Sequence, residues 1–224
     1  MCFSATASFS TSVILVPIGI YCLLKSSGFK IPYWTFAVIP LIFGIQQFFE
    51  GLVWLVVGSG DGLTLHLAAL GFLFFSHVFW LIWIPYACFL LENNAYKKKI
   101  FFILIFIGAA YGLSLYIPLL FNQNWLEVEL IKQSIEYKTT LLYDKVIPKE
   151  MVSLIYALIL LIPLLGISSR YIRIFGVIIT ASVIVTTLFM DYAFISIWCY
   201  FAAVLSFYIL VLILKKDKVK VVNE

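Results

Sequence analysis

The chain has 224 residues, of which 64% are apolar and only 12% charged, and its mean hydropathy is +1.10. So apolar a chain cannot keep its surface in water, which excludes a soluble globular domain and gives an all-α integral membrane protein. The formal charge of +4 comes from Lys and Arg at helix ends, so it reports topology and gives no reason to expect a nucleic-acid partner.

A membrane helix needs about 20 predominantly apolar residues. In chain order such spans are expected near 7–24, 33–57, 64–91, 100–121, 150–168, 172–190 and 192–214, forming one seven-helix bundle over residues 1–224. Lys25-Ser26-Ser27-Gly28 ends the first span, and Gly58-Ser59-Gly60 closes the second. Glu92-Asn93-Asn94 ends the third and Asn122-Gln123-Asn124 the fourth. Residues Ile174 to Leu214 form one apolar run broken only by Met190-Asp191-Tyr192. Unbroken helix there would extend about 60 Å, twice the hydrocarbon thickness. A turn at Asp191, its carboxylate capping the last helix, divides the run; six spans is the alternative division.

Eleven of the fifteen Lys and Arg residues fall on one side of this arrangement: Lys25, Lys30, Lys97, Lys98, Lys99, Arg170, Arg173, Lys215, Lys216, Lys218 and Lys220. The other four lie in one acid-rich loop. The positive-inside rule then puts the N-terminus outside and the C-terminus in the cytoplasm. The long loop 122–149 is outside. Within it Leu126-Glu127-Val128-Glu129-Leu130 alternates with period two, and a second apolar run follows at Leu141-Leu142-Tyr143. Two readings stay open for this loop, a small hairpin over the outer mouth and a solvated connector.

Polar residues inside apolar spans carry the functional expectation. On the second span Gln47 lies about 100° from Gln46, Glu50 about 40° and Trp54 about 80°. One helix face thus holds two amides, a carboxyl and an indole. A carboxyl at that depth costs about 3 kcal/mol on insertion scales, so Glu50 must face the bundle or trapped water. It is either part of a ligand, ion or proton site or one end of an interhelical polar clamp.

His66 and His77 share a face of the third span but lie about 16 Å apart along the axis. They cannot hold one metal or one haem iron together, and no metal or cofactor is expected. Cys2, Cys22, Cys88 and Cys199 show no CxxC spacing. If Met1 is removed, Cys2 becomes an N-terminal thiol with its own amine as base. Cys199, one or two turns into the last span, can approach the same cavity, and His66 can approach Glu50 from the outer surface. No lysine lies inside a late span, which excludes a retinal protein. HExxH, GxSxG and Walker patterns are absent, which removes zincin, serine-hydrolase and nucleotide-driven chemistry.

Three stretches carry a resemblance. They are Met1-Cys2-Phe3-Ser4-Ala5, the run from Phe43 to Trp54 containing Gln46-Gln47-Phe48-Phe49-Glu50, and Ser196-Ile197-Trp198-Cys199-Tyr200-Phe201-Ala202-Ala203. Together they resemble an uncharacterised family of bacterial multi-pass membrane proteins. The resemblance implies a prokaryotic inner membrane and directs attention to Cys2, Gln46, Gln47, Glu50 and Cys199; it adds no mechanism.

The reading reached from sequence is a multi-pass inner-membrane protein that binds or transports a small molecule or lipid. Its pocket lies in the outer half of the bundle, with Gln46, Gln47 and Glu50 as floor and Trp54, Cys2, His66 and Cys199 nearer the mouth. The alternatives are an intramembrane enzyme using Glu50 and Cys2, and a structural or signalling partner without chemistry of its own.

Overall fold

A computed structural model describes residues 4–26, 32–131, 133–140, 148–189 and 193–222. The polypeptide is mostly helical, with seven helical segments and one short hairpin among the described residues. The first segment is α1 (Ala5–Ser26), and the second is α2 (Trp34–Ala37) continued by α3 (Ile39–Val56). The break between α2 and α3 falls at Val38, where Pro40 lacks the N–H that would continue the helical ladder. The third segment joins α4 (Gly62–Leu73), a π-helical turn (Phe74–Phe79) and α5 (Trp80–Leu91). It starts at Asp61, whose side chain caps the Thr64 N–H at 3.1 Å.

The remaining segments are α6 (Ala95–Phe121), α7 (Lys149–Gly166), α8 (Arg170–Phe189), and α9 (Phe194–Leu205) followed by α10 (Phe207–Val222). Six of the seven are long and apolar enough to cross a membrane. The seventh, around α7, has a shorter apolar stretch, Met151–Gly166, about 24 Å at the helical rise. Bilayer thinning or helix association accommodates such a length, and α7 is held by polar ties to its neighbours. The Tyr111 hydroxyl donates to the Val152 carbonyl at 2.8 Å, and the Tyr156 hydroxyl donates to the Ser76 carbonyl. Asp191, the expected cap of the last span, lies outside the described residues.

Small residues set the helix packing, as expected where lipid removes the hydrophobic drive between helices. Gly19 of α1 meets the backbone of Leu41, and Gly44 of α3 meets Val16, so α1 and α3 lie nearly backbone to backbone. Gly108 and Gly112, one turn apart on α6, face the carbonyl oxygens of Leu81 and His77. One core cluster runs from Leu15 and Phe36 through Trp80 and Leu81 to Phe175 and Trp198, and a second gathers Val53, Phe72 and Leu119 under the hairpin.

The loop after α6 forms the hairpin. Strands β1 (Leu126–Ile131) and β2 (Ser134–Thr139) pair antiparallel, with Val128 opposite Tyr137 and Leu130 opposite Ile135. The second strand is nearer than the sequence reading placed it, because Tyr137 and Ile135 supply the period-two partners for Val128 and Leu130. Residues 141–143, the run expected to pair, lie outside the described residues. The inward face is buried at Leu126, Ile135 and Tyr137, while Glu127, Glu129 and Lys138 stay exposed. Lys138 bonds Glu129 at 2.6 Å, an exposed pair contributing at most about 1 kcal/mol.

At the other end of α6 one acid organises two loops. Glu92 is 1% exposed and accepts from the Asn93 and Asn94 N–H groups, each at 2.9 Å, and from the Ser168 N–H at 2.8 Å. It therefore ties the α5–α6 loop to the α7–α8 loop, where Arg173 also donates to the Ile167 carbonyl. Burial pushes the Glu92 carboxyl up, but the N–H bonds outweigh it and hold the group below the ordinary glutamate range. A depressed folded-state value gives stability that is complete above about pH 4.3 and lost as pH falls through the folded value. Thermal midpoints in detergent are expected to drop on acidification below that point, and Glu92→Gln is expected to flatten the acid limb while lowering the plateau. An unchanged acid limb in Glu92→Gln removes Glu92 as its source.

Candidate functional site in the bundle core

The polar cluster begins on α3. Gln46 and Gln47 are fully buried and Glu50 is 2% exposed, so the face that carries them turns into protein. Gln47 Nε2 donates to Glu50 Oε2 at 2.9 Å along the same helix. The other carboxyl oxygen, Oε1, accepts from the Ser196 hydroxyl of α9. Gln46 Oε1 accepts from the Trp80 indole N–H of α5 at 2.8 Å. Three helices separated widely in sequence thus meet at two adjacent amides and one acid.

Cys199 lies one turn beyond Ser196, with Glu50 and Gln46 as its polar neighbours. From the hairpin, Tyr137 enters the same region, its ring stacked on Phe72 with centroids 5.0 Å apart. Burial holds this phenol well above its usual range, and the nearby Glu50 and Cys199 raise it further. Trp54, half-buried a turn beyond Glu50, packs against the cluster that contains Val53, Leu126 and Tyr137. The hairpin therefore covers the cluster from one end.

Buried amides and acids normally satisfy all their hydrogen-bonding atoms, but four atoms here do not. Gln46 Nε2, Gln47 Oε1, the Tyr137 hydroxyl and Trp198 Nε1 are buried without a hydrogen-bond partner among the described residues. Each such group costs about 1–3 kcal/mol. Trp198 and Cys199 also line a narrow cleft of about 40 Å³, with no hairpin residue on its walls. Trp80, Tyr156, Phe175, Trp198, Cys199 and Ala202 are among its walls. Cys199 belongs both to this cleft and to the cluster under the hairpin.

A model of a family of unknown function, DUF6629, matches residues 1–223. The chain belongs to that family. No curated protein and no solved structure matches it. This DUF6629 member is a multi-pass membrane protein by its six long apolar helices, and those helices imply association with a lipid bilayer.

The residues singled out from sequence are distributed unequally. Gln46, Gln47, Glu50 and Cys199 come together, and Trp54 packs beside them. His66 lines a different groove, between α4 and the hairpin, with Leu65, Gln123, Leu126 and Val128. His77 is buried within the π-helical turn, its Nδ1 3.0 Å from the Ser76 hydroxyl. Cys2 lies outside the described residues. Among the described residues no group of three His, Cys, Asp or Glu side chains is placed to hold a metal ion.

Sequence reasoning missed Ser196, Trp80, Trp198 and Tyr137. Ser196 and Trp198 had a signal, since they flank Cys199 in a stretch already singled out. Trp80 and Tyr137 had none, because spacing along a chain does not tell which aromatic of a distant element reaches a given amide. The π-helical turn also left no local signature. It reorients the backbone at Ser76, whose carbonyl receives the Tyr156 hydroxyl, and such turns cluster at functional sites.

Proposed function

We propose that this protein binds a small amphipathic molecule or lipid inside its bundle, for carriage or sensing across the membrane. The polar end sits at the Gln46–Glu50–Cys199 cluster and the apolar end in the adjoining cleft. The observation that carries this reading is the set of four buried polar atoms that lack a hydrogen-bond partner among the described residues, in side chains around the cluster beside a cleft that Trp198 and Cys199 line. A protein interior does not leave two amide atoms, a phenol and an indole unmet without an occupant or ordered water to meet them. Trp54 and Cys2 belong to the covering end of the site, and His66 to its periphery.

The proposal includes orientation. The charge asymmetry supports an outside hairpin and a cytoplasmic C-terminus, and the family resemblance supports a bacterial inner membrane. A membrane-impermeant maleimide added to intact cells then labels Glu127→Cys; labelling only after lysis reverses the topology.

Native mass spectrometry of gently released protein tests the binding reading. A copurifying mass is expected on the wild type and is expected to be lost in Ala202→Leu, which fills the cleft. Wild-type protein that carries no adduct and gains none from its own membrane lipids contradicts the proposal.

A structural clamp is the second reading, favoured by one observation: both Glu50 oxygens already accept hydrogen bonds, one of them across helices from Ser196. The intramembrane-enzyme alternative, with Glu50 as acid/base and Cys2 as nucleophile, gains no geometric support from the described residues.

A further inference from the structure

Ser168, in the loop between α7 and α8, is the meeting point of two cations from different helices. Lys97 Nζ of α6 donates to its hydroxyl at 3.1 Å, and Arg173 Nη2 of α8 donates to its carbonyl at 3.4 Å, both at the protein surface. The loop itself is fixed. The Ser168 N–H donates to Glu92 at 2.8 Å, and Arg173 also holds the Ile167 carbonyl. Two positive charges are therefore kept together on one residue.

Little nearby balances them. Among the described residues neither Lys97 nor Arg173 forms an ion pair. Residues 92–99 and 167–173 carry Lys97, Lys98, Lys99, Arg170 and Arg173 against a single acid, Glu92. That acid is 1% exposed and turned onto backbone N–H groups. Topology calls for cations at this end of the bundle, but not for two of them on one serine. Like charges held this close repel, and an anion between them turns the repulsion into attraction.

The surface leading away from the pair is apolar. α7 ends at Gly166, two residues before Ser168, and Leu165, Ile162, Leu158 and Leu154 are all exposed. At three- or four-residue spacing they form one stripe along the helix. The opposite face of α7, with Tyr156, Leu160 and Leu164, lines the internal cleft. On α6 and α8, Ile103 and Ile174 are exposed within two turns of the cations, and Tyr96 and Tyr171 are exposed beside them, the aromatic pattern of a membrane interface. A soluble anion matches the cations alone. An acidic phospholipid matches both the cations and the stripe.

We infer that the Lys97–Ser168–Arg173 junction is a binding site for an anionic phospholipid. The phosphodiester lies between the Lys97 ammonium and the Arg173 guanidinium, and the acyl chains run along the outward stripe of α7. Basic pockets between membrane helices take such head groups by the same electrostatics. The site is separate from the internal cleft and does not depend on what the cleft holds.

Native mass spectrometry of delipidated full-length protein, titrated with phosphatidylglycerol, phosphatidylcholine of the same chains or inorganic phosphate, tests the site. Phosphatidylglycerol is expected to bind tightest. Lys97→Gln and Arg173→Gln are each expected to weaken it about fivefold, the effect of one cation at a membrane surface. Together they are expected to bring it to the level of phosphatidylcholine. Lys215→Gln, which removes an equal charge from α10, is expected to change nothing, and so is Ala202→Leu in the cleft. Arg173→Gln also takes a donor from the Ile167 carbonyl; where that unsettles the loop, Lys97→Gln decides alone. Equal affinity for the two lipids, or phosphatidylglycerol binding that Lys97→Gln leaves unchanged, overturns the site and leaves the cations to topology. Inorganic phosphate that displaces phosphatidylglycerol at equal concentration assigns the junction to a free anion and overturns the lipid.

Discussion

Glu50→Ala is expected to destabilise the bundle by about 2–4 kcal/mol, read as a lowered thermal midpoint in detergent, whereas Glu50→Gln is expected to cost under about 1 kcal/mol. The alanine variant leaves Gln47 Nε2 and the Ser196 hydroxyl buried without acceptors and opens a void between α3 and α9. A single interhelical hydrogen bond in a membrane protein contributes only about 0.6 kcal/mol on average. Most of the loss therefore comes from the void and the orphaned donors. Glutamine keeps the shape. Its amide oxygen accepts from Gln47, and its NH₂ donates to Ser196, whose hydroxyl accepts as readily as it donates. Glu50→Gln with an intact midpoint but no bound ligand moves Glu50 from clamp to binding group. A midpoint as low as that of Glu50→Ala shows that the two acceptor oxygens of the carboxyl, and not its shape alone, are required.

Gly108→Ala is expected to be worse than most larger changes in the core, costing about 3 kcal/mol or more and lowering yield from the membrane. An added Cβ at Gly108 runs into the Leu81 carbonyl oxygen, and at Gly112 into that of His77. Backbone atoms cannot swing aside, so α5 and α6 must separate and lose contacts along the shared seam. Gly71→Ala provides the contrast, because its obstacle is the Phe49 ring, which can rotate at lower cost. Gly62→Ala is the control: nothing lies within 4 Å of its added Cβ, and alanine favours the helix by up to about 1 kcal/mol. Equal midpoints for Gly108→Ala and Gly62→Ala refute the close backbone approach.

Much of this bundle can be read directly from hydropathy. Long apolar stretches leave the backbone no option but helix, and the inward turn of Glu50 follows from the cost of placing an acid against lipid. The α3 arc of Gln46, Gln47 and Glu50 is a local property of helical periodicity and was legible for that reason. What these groups touch is not local. Ser196 is 146 residues away from Glu50 in the chain and Trp80 is 34 away from Gln46, and no periodicity links them. The hairpin was half legible: the alternation of Leu126, Val128 and Leu130 marked one strand. The nearer partner, Ser134–Thr139, was obscured by Glu136 and Lys138, whose outward faces make it resemble a solvated connector. Glu92 was legible only as a helix end. Its burial comes from a second loop closing over it, which depends on how α7 and α8 dock.

The central claim is that the interior beside Trp198 is an occupied binding site. Cryo-electron microscopy of the protein in discs of its native lipid tests this most directly. Density that fills the cleft and reaches the Gln46–Glu50–Cys199 cluster is the predicted result. A cleft closed by direct packing of Trp80, Tyr156 and Trp198, or holding only separate water peaks, contradicts the claim.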